Sequence, residues 1–230
     1  MIKGVILDID GTLFDSMDMW MKVGGAYLRS LGITPAEDVD EFMASFSLEQ
    51  GVAYLHNAYL QDKTEEEIMA GVIGIVTDFY VNRAQLKPGA FEFLSKLRAH
   101  SIPMCIATMS DRSYIEAALK RLGIFQWFTS VEVCSELRTN KHSPDVYKIA
   151  ADKLLRAGET EGHFTGADYS EIWVFEDALY AARTAANAGF SVAAMYDSYA
   201  ETNKTEMQKI CRIYMNSWQD DDGFWYAAEG

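Results

Sequence analysis

Val5-Ile6-Leu7-Asp8-Ile9-Asp10-Gly11-Thr12 is the stretch on which the reading of the whole chain turns. The apolar run Val5 to Ile9 has the length and β-branched content of a strand buried on both faces, the kind found in parallel sheets. Asp8 and Asp10 stand at its carboxyl end, and Gly11-Thr12 supplies a turn. Open parallel sheets bind their ligands at that edge, outside the carboxyl ends of the strands. Two positions apart on an extended backbone, the two carboxylates point the same way, while the turn can redirect the second. Such a pair can divide labour, one attacking while the other moves a proton. Asp-Gly is also a common turn dipeptide and Thr12 can cap a helix, so this stretch alone leaves a structural reading open.

Working outward, apolar runs at Ile102 to Ala107, Val131 to Cys134 and Ile172 to Phe175, with a weaker one at Ser191 to Met195, read as further buried strands. Helix-period segments lie between them: Ala90 to His100, Asp111 to Leu122, Pro144 to Arg156 and Ala178 to Ala188. This alternation predicts an α/β fold, a Rossmann-like parallel sheet with helices on both faces. The rhythm breaks between Ser16 and Arg83, which holds no strand pattern but three helix-start signatures. These are Thr34-Pro35-Ala36-Glu37, Ser47-Leu48-Glu49-Gln50 and Thr64-Glu65-Glu66-Glu67. A small all-helical domain inserted after the first strand follows, giving residues 1–15 and 86–230 as the core and 16–85 as the insert. Leu86-Lys87-Pro88-Gly89 marks the turn back to the sheet. The tail Asn216 to Gly230 reads as a partly frayed end, with docking of Phe224, Trp225 and Tyr226 on the core as the alternative.

Three later strand ends also carry chemistry. Thr108, followed by Met109-Ser110-Asp111 at a helix start, offers a hydroxyl and free amides suited to a phosphoryl oxygen, or else a helix cap. Lys141, just before the helix beginning at Pro144, can neutralise phosphate, although a lysine taken alone reads as a surface residue. Glu176-Asp177 ends another apolar strand, where Asp177 can complete a Mg²⁺ site with Asp8. Acids at a helix start also suit its dipole. Each has a structural reading, but chance does not account for the set at one sheet edge.

Composition narrows the partners. Of 230 residues, 49% are hydrophobic, which excludes a disordered chain, and the net charge of −14 argues against nucleic acid or an anionic membrane. A phosphorylated ligand must then be met by local positive charge. Cys105, Cys134 and Cys211, odd in number and widely spaced, read as reduced thiols. The amino terminus has no signal-peptide apolar region and no run is long enough to span a membrane, so the cytoplasm is expected.

The four strand ends together resemble the haloacid dehalogenase superfamily, whose motifs match Asp8-Ile9-Asp10-Gly11-Thr12, Thr108, Lys141 and Glu176-Asp177. The likeness spans roughly Gly4 to Met195. Phe14-Asp15-Ser16, Lys87-Pro88-Gly89, Pro144-Asp145 and Phe175-Glu176-Asp177 are similar to the branch of beta-phosphoglucomutases and phosphoglycolate-type phosphatases. The resemblance implies a phosphatase acting on a small phosphorylated metabolite, with Asp8 as nucleophile and Asp10 as general acid, then base. It implies phosphoryl oxygens held by Gly11, Thr108, Met109 and Lys141. It further implies Mg²⁺ on Asp8, the Asp10 carbonyl and Asp177, with Glu176 acting through water. Two departures concern loop geometry. Asn140-Lys141-His142 stands where the family has Gly-Lys-Pro, and Ala178 and Ala181 where it prefers Ser and Gly. His142 reads as an exposed residue at a helix entry.

The insert would be the cap domain of that family. Mutases of the branch carry a cap histidine and a cap arginine where this chain has Trp20 and Leu48, which favours hydrolysis over mutation. Trp20, Phe46, Ser47 and Gln50 are expected to face the substrate, with cap-core packing as the other reading. Receiver domains share an aspartate, Mg²⁺, a Thr and a Lys, but are shorter and lack a cap. A catalytically silent protein on the same fold is a further alternative. A monomer or weak dimer is expected.

Overall fold

The computed structural model describes residues 2–157 and 168–229; Met1 and Gly230, the ends of two segments singled out above, lie outside them. Six strands are found among the described residues: β1 (Gly4–Leu7), β2 (Met104–Thr108), β3 (Phe128–Val133), β4 (Ile172–Glu176), β5 (Ser191–Met195) and β6 (Ile213–Met215). They form one sheet in the order β3-β2-β1-β4-β5-β6, with every neighbouring pair parallel. The chain divides into two compact units, Met1–Asp15 with Gln85–Gly230, and Ser16–Ala84.

The Ser16–Ala84 unit holds α1 (Met17–Ser30), α2 (Val39–Met43), α3 (Leu48–Tyr59) and α4 (Glu65–Asn82). Two of the three expected helix starts form as complete capping boxes, Ser47 with Gln50 and Thr64 with Glu67. Each satisfies two amide donors that would otherwise lack partners. The third expectation, at Thr34, is corrected: the chain stays irregular there and α2 begins later, after Asp38, whose side chain makes no capping bond. The Tyr59 hydroxyl accepts the Ala36 amide, so that backbone group is satisfied without a helical turn.

In the sheet unit lie α5 (Ala90–Ala99), α6 (Arg112–Arg121), α7 (Asp145–Ala157), α8 (Leu179–Asn187), α9 (Lys204–Ile210) and α10 (Asp222–Glu229). Alternation along the strands serves two cores. Ile6, Cys105, Val174 and Val192 pack with Val146, Ala150 and Leu154 of α7 and Ala182 and Ala185 of α8. On the opposite face Phe175 meets Phe93 of α5. Burial on both sides is why these strands are continuous apolar runs. β1 ends at Leu7, two residues before the apolar run does, because the Ile9 carbonyl is taken by the amides of Leu13 and Phe14 in the following turn.

β6 is an addition to the sequence reading: its three residues, Ile213-Tyr214-Met215, are too short a run to read as a strand, and pairing with β5 defines it. The frayed-tail reading is overturned. Trp218 and Phe224 are buried, their rings packed at tilted or edge-on angles against Phe93 and Phe175, and Phe224 also meets Trp173 edge-on. Asp221 pairs with Lys96 of α5 at 2.7 Å. Gly89 makes this docking possible, since at φ +85° an added Cβ would fall 2.8 Å from the Gln219 amide nitrogen. Polar Asp220-Asp221-Asp222 hides this in the sequence, because only the spacing of Trp218 and Phe224 marks the buried face.

Phe224→Ala is expected to lower unfolding free energy by about 3–5 kcal/mol in urea denaturation, the cost of emptying a large buried aromatic site. Tyr226→Ala, at a residue 86% exposed, should stay within about 0.5 kcal/mol of the parent.

Candidate active site

Strand register sets the height of the acidic groups. Leu7 lies opposite Ile106 on β2 and Phe175 on β4, which brings the next residues, Asp8 and Glu176, level with each other. The Asp8 amide donates to the Phe175 carbonyl at 3.1 Å and locks this level. Lys141, from the segment between β3 and α7, reaches the same point. Only 2% exposed, its ammonium donates to Asp8 and, at 2.6 Å, to Glu176. Tyr147 of α7 donates its hydroxyl to the same Glu176 oxygen at 2.7 Å. Asp177 is buried beside them and accepts from the Thr12 hydroxyl at 3.1 Å. Asp8, Glu176 and Asp177 each offer an oxygen within 4.8 Å of the others.

Burial opposes the charge on every one of these groups. It raises the Asp8 carboxyl above its usual range, with Lys141 pulling the other way and Asp10 adding to the rise. Glu176 is pushed up to about 7, by burial first, against the opposing pull of Lys141. Asp177 is raised well above the carboxylate range by burial and by its neighbours Asp8 and Glu176. For Lys141 burial works against the charge, but Asp8 and Glu176 more than compensate and hold the ammonium firmly protonated. Burial alone does not favour three ionised carboxyls; once all three are ionised, one ammonium leaves two formal negative charges, the complement of a divalent cation. Their hard oxygen donors suit Mg²⁺, so the residues fit the metal expected from the sequence.

The remaining expected residues fall around this group. Asp10 is half-buried and outside the acidic trio; its carboxylate accepts from the Ser110 hydroxyl at 2.5 Å. Gly11, at φ +76°, lets the loop turn sharply between Asp10 and Thr12. Thr108 ends β2 fully buried, with its hydroxyl oxygen accepting the Ser110 amide at 3.0 Å. It is not the helix cap, because Asp111 caps α6. Met109 beside it is 53% exposed. His142 is exposed and stacks on Tyr180 at 4.5 Å.

Within the helical unit, Trp20, Phe46 and Ser47 line a cavity of about 150 Å³ together with Met43, Leu48 and Leu55. Gln50 is not among its lining residues; its side-chain oxygen accepts the Ser47 amide in the cap of α3. Trp20 donates its indole N–H to the Tyr80 hydroxyl at 3.0 Å, and Phe46 meets Phe42 edge-on. All four therefore have partners inside their own unit. Ser110 and Tyr147 are site residues that the sequence alone does not single out. Ser110 lies within the quoted Thr108-Met109-Ser110-Asp111 run, whereas Tyr147 reads only as a core aromatic at helical spacing.

A family model for haloacid dehalogenase-like hydrolases matches residues 2–189. The chain is 26% identical over 205 residues to "Probable pseudouridine-5'-phosphatase" of Drosophila melanogaster, covering 87% of this chain and 84% of that one. It is 27% identical over 210 residues to the phosphoglycolate phosphatase of Rhodobacter capsulatus, covering 88% of each. The beta-phosphoglucomutase structure from Clostridium difficile superposes with a TM-score of 0.69 at 15% identity, over 99% of this chain and 97% of the other, a likeness of fold. No helix among the described residues is long and apolar enough to cross a membrane.

Lys141→Met removes the ammonium paired with both Asp8 and Glu176. Chemical denaturation is expected to show a loss of about 3 kcal/mol or more, since breaking a buried pair strands its carboxylates. Lys120→Met, which breaks an exposed pair with Glu116, should cost about 1 kcal/mol or less.

Proposed function

The chain belongs to the haloacid dehalogenase-like hydrolases and is a phosphatase, and from that premise we propose that it hydrolyses the phosphate monoester of a small metabolite through an aspartyl-phosphate on Asp8. One observation carries this reading: a buried carboxylate at the end of β1 faces a buried ammonium, with two further acids on the adjoining strand end. Asp8 attacks phosphorus in line with the ester oxygen, and the P–O ester bond breaks as the new acyl-phosphate bond forms. Asp10 gives its proton to the leaving oxygen. It then takes one from a water that attacks the same phosphorus, releasing inorganic phosphate and restoring Asp8.

Lys141 balances the charge that gathers on the phosphoryl oxygens, which the Thr108 hydroxyl and the Met109 amide help to hold. The Gly11 amide, expected there from the sequence, instead donates to the Phe14 carbonyl at 3.2 Å, so Gly11 serves the turn. Asp8, Asp177 and the Asp10 carbonyl would hold Mg²⁺, with Glu176 acting through water while its direct bonds orient Lys141. Bound there, the metal supplies Lewis-acid relief of the repulsion between two anions. Asp10 lies outside the acidic trio with its carboxylate bonded to the Ser110 hydroxyl, an arrangement consistent with a proton-transfer role for it.

In this account the Ser16–Ala84 unit is the cap that selects the leaving group and excludes water. Trp20, Phe46 and Ser47, around their shared cavity, are its substrate-facing candidates, joined by Gln50 from the sequence reading. Buried Cys105 and Cys134, both free thiols, fit a reducing, cytoplasmic setting. The chain would act as a monomer or weak dimer, with neither nucleic acid nor membrane as partner.

A phosphate-release screen across sugar phosphates, phosphoglycolate and nucleotides is expected to find turnover that EDTA abolishes and Mg²⁺ restores. Asp8→Asn should lose at least about 10³-fold in kcat, and Asp10→Asn about 10²- to 10⁴-fold. Turnover that persists in EDTA would contradict the metal assignment. If Trp20→Ala and Gln50→Ala leave kcat/KM unchanged for every accepted substrate, the cap assignment fails.

A further inference from the structure

We infer that Trp218 is a positioning residue for the cation site, acting through Thr12 on Asp177. The inference rests on the reading above that Asp177 holds Mg²⁺. The indole N–H of Trp218 donates to the Thr12 carbonyl at 3.0 Å, across 206 positions of sequence. Thr12 in turn donates its hydroxyl to Asp177 at 3.1 Å. A single residue thus takes the tail's hydrogen bond on its backbone and passes one to the acid from its side chain. The ring of Trp218 also lies 5.1 Å from that of Phe175, two residues before Asp177, and 4.7 Å from that of Phe93. It therefore touches both segments that bring Thr12 and Asp177 together.

The anchor is itself held in place. Gln219 passes over Gly89, Asp221 pairs with Lys96, and Trp218 is 2% exposed. The segment it grips is permissive, because Gly11 precedes Thr12 in the left-handed region. Deleting the indole N–H leaves a buried carbonyl short of a donor, and the loop relieves this by moving. Such a shift carries the Thr12 hydroxyl away from Asp177. Groups that hydrogen-bond a metal ligand fix its orientation and tune affinity without touching the ion.

The test is Mg²⁺ binding, read from the rise in thermal-unfolding midpoint with Mg²⁺ concentration. Thr12→Val should raise the half-saturating Mg²⁺ concentration about tenfold or more, and Trp218→Phe, which keeps an aromatic ring, about three- to tenfold. The double variant should be no weaker than Thr12→Val alone. Trp225→Phe removes a neighbouring indole donor, to Asp221, and should leave Mg²⁺ binding as in the parent. A Trp218→Phe protein that melts earlier in EDTA yet binds Mg²⁺ normally would reduce Trp218 to packing and overturn the inference. Should Trp218→Phe not fold, the indole ¹⁵N–H resonance of Trp218 in the parent decides: movement on Mg²⁺ saturation supports the link, and an unmoved signal overturns it. A parent protein indifferent to Mg²⁺ overturns the metal reading itself, and this inference with it.

Discussion

Mutual repulsion among Asp8, Glu176 and Asp177 is the constraint that the rest of the sheet unit accommodates. When charged, oxygens within 4.8 Å of one another repel by about 3.5 kcal/mol or more per pair at an effective dielectric of roughly 20. Water would relieve this, but all three side chains are buried. Lys141 offsets part of it from within the fold. What remains is a concentrated demand for positive charge, which in a chain of net charge −14 must be met locally.

Rigidity makes that arrangement possible. Parallel pairing on both sides of β1 fixes where Asp8 ends up, and two cores clamp the sheet. Polar contacts then aim the charged groups individually. Tyr147 and Lys141 share one oxygen of Glu176, Thr12 bonds Asp177, and Ser110 bonds Asp10. Asp10 is not one of the trio, which suits the proposed mechanism, since an acid that carries a proton is better kept out of the group that demands cations. The carboxyl-terminal segment belongs to this support, with Trp218 filling the space beneath the loop that bears Thr12.

Much of this is legible in the sequence alone, for a physical reason. Strands buried on both faces leave uninterrupted apolar runs, so the acids and the threonine that end Val5 to Leu7, Met104 to Ala107 and Ile172 to Phe175 stand out. Capping boxes are equally local, and Ser47 and Thr64 announced α3 and α4. Contacts decided by tertiary packing left no such trace. Thr34 has the letters of a helix start, but Ala36 is satisfied by Tyr59 instead. The tail's acidic surface concealed Trp218 and Phe224, and β6 exists only because β5 offers it an edge. Tyr147 looks like any core aromatic until Glu176 is seen beside it.

Chemical trapping on Asp8 tests the central claim most directly. Enzyme mixed with excess substrate, quenched rapidly and reduced with borohydride, converts an aspartyl-phosphate to homoserine that peptide mass spectrometry can locate. The account predicts substrate-dependent homoserine at position 8. Recovery of the phosphoryl group on any other residue, with Asp8 unaltered during turnover, would contradict it.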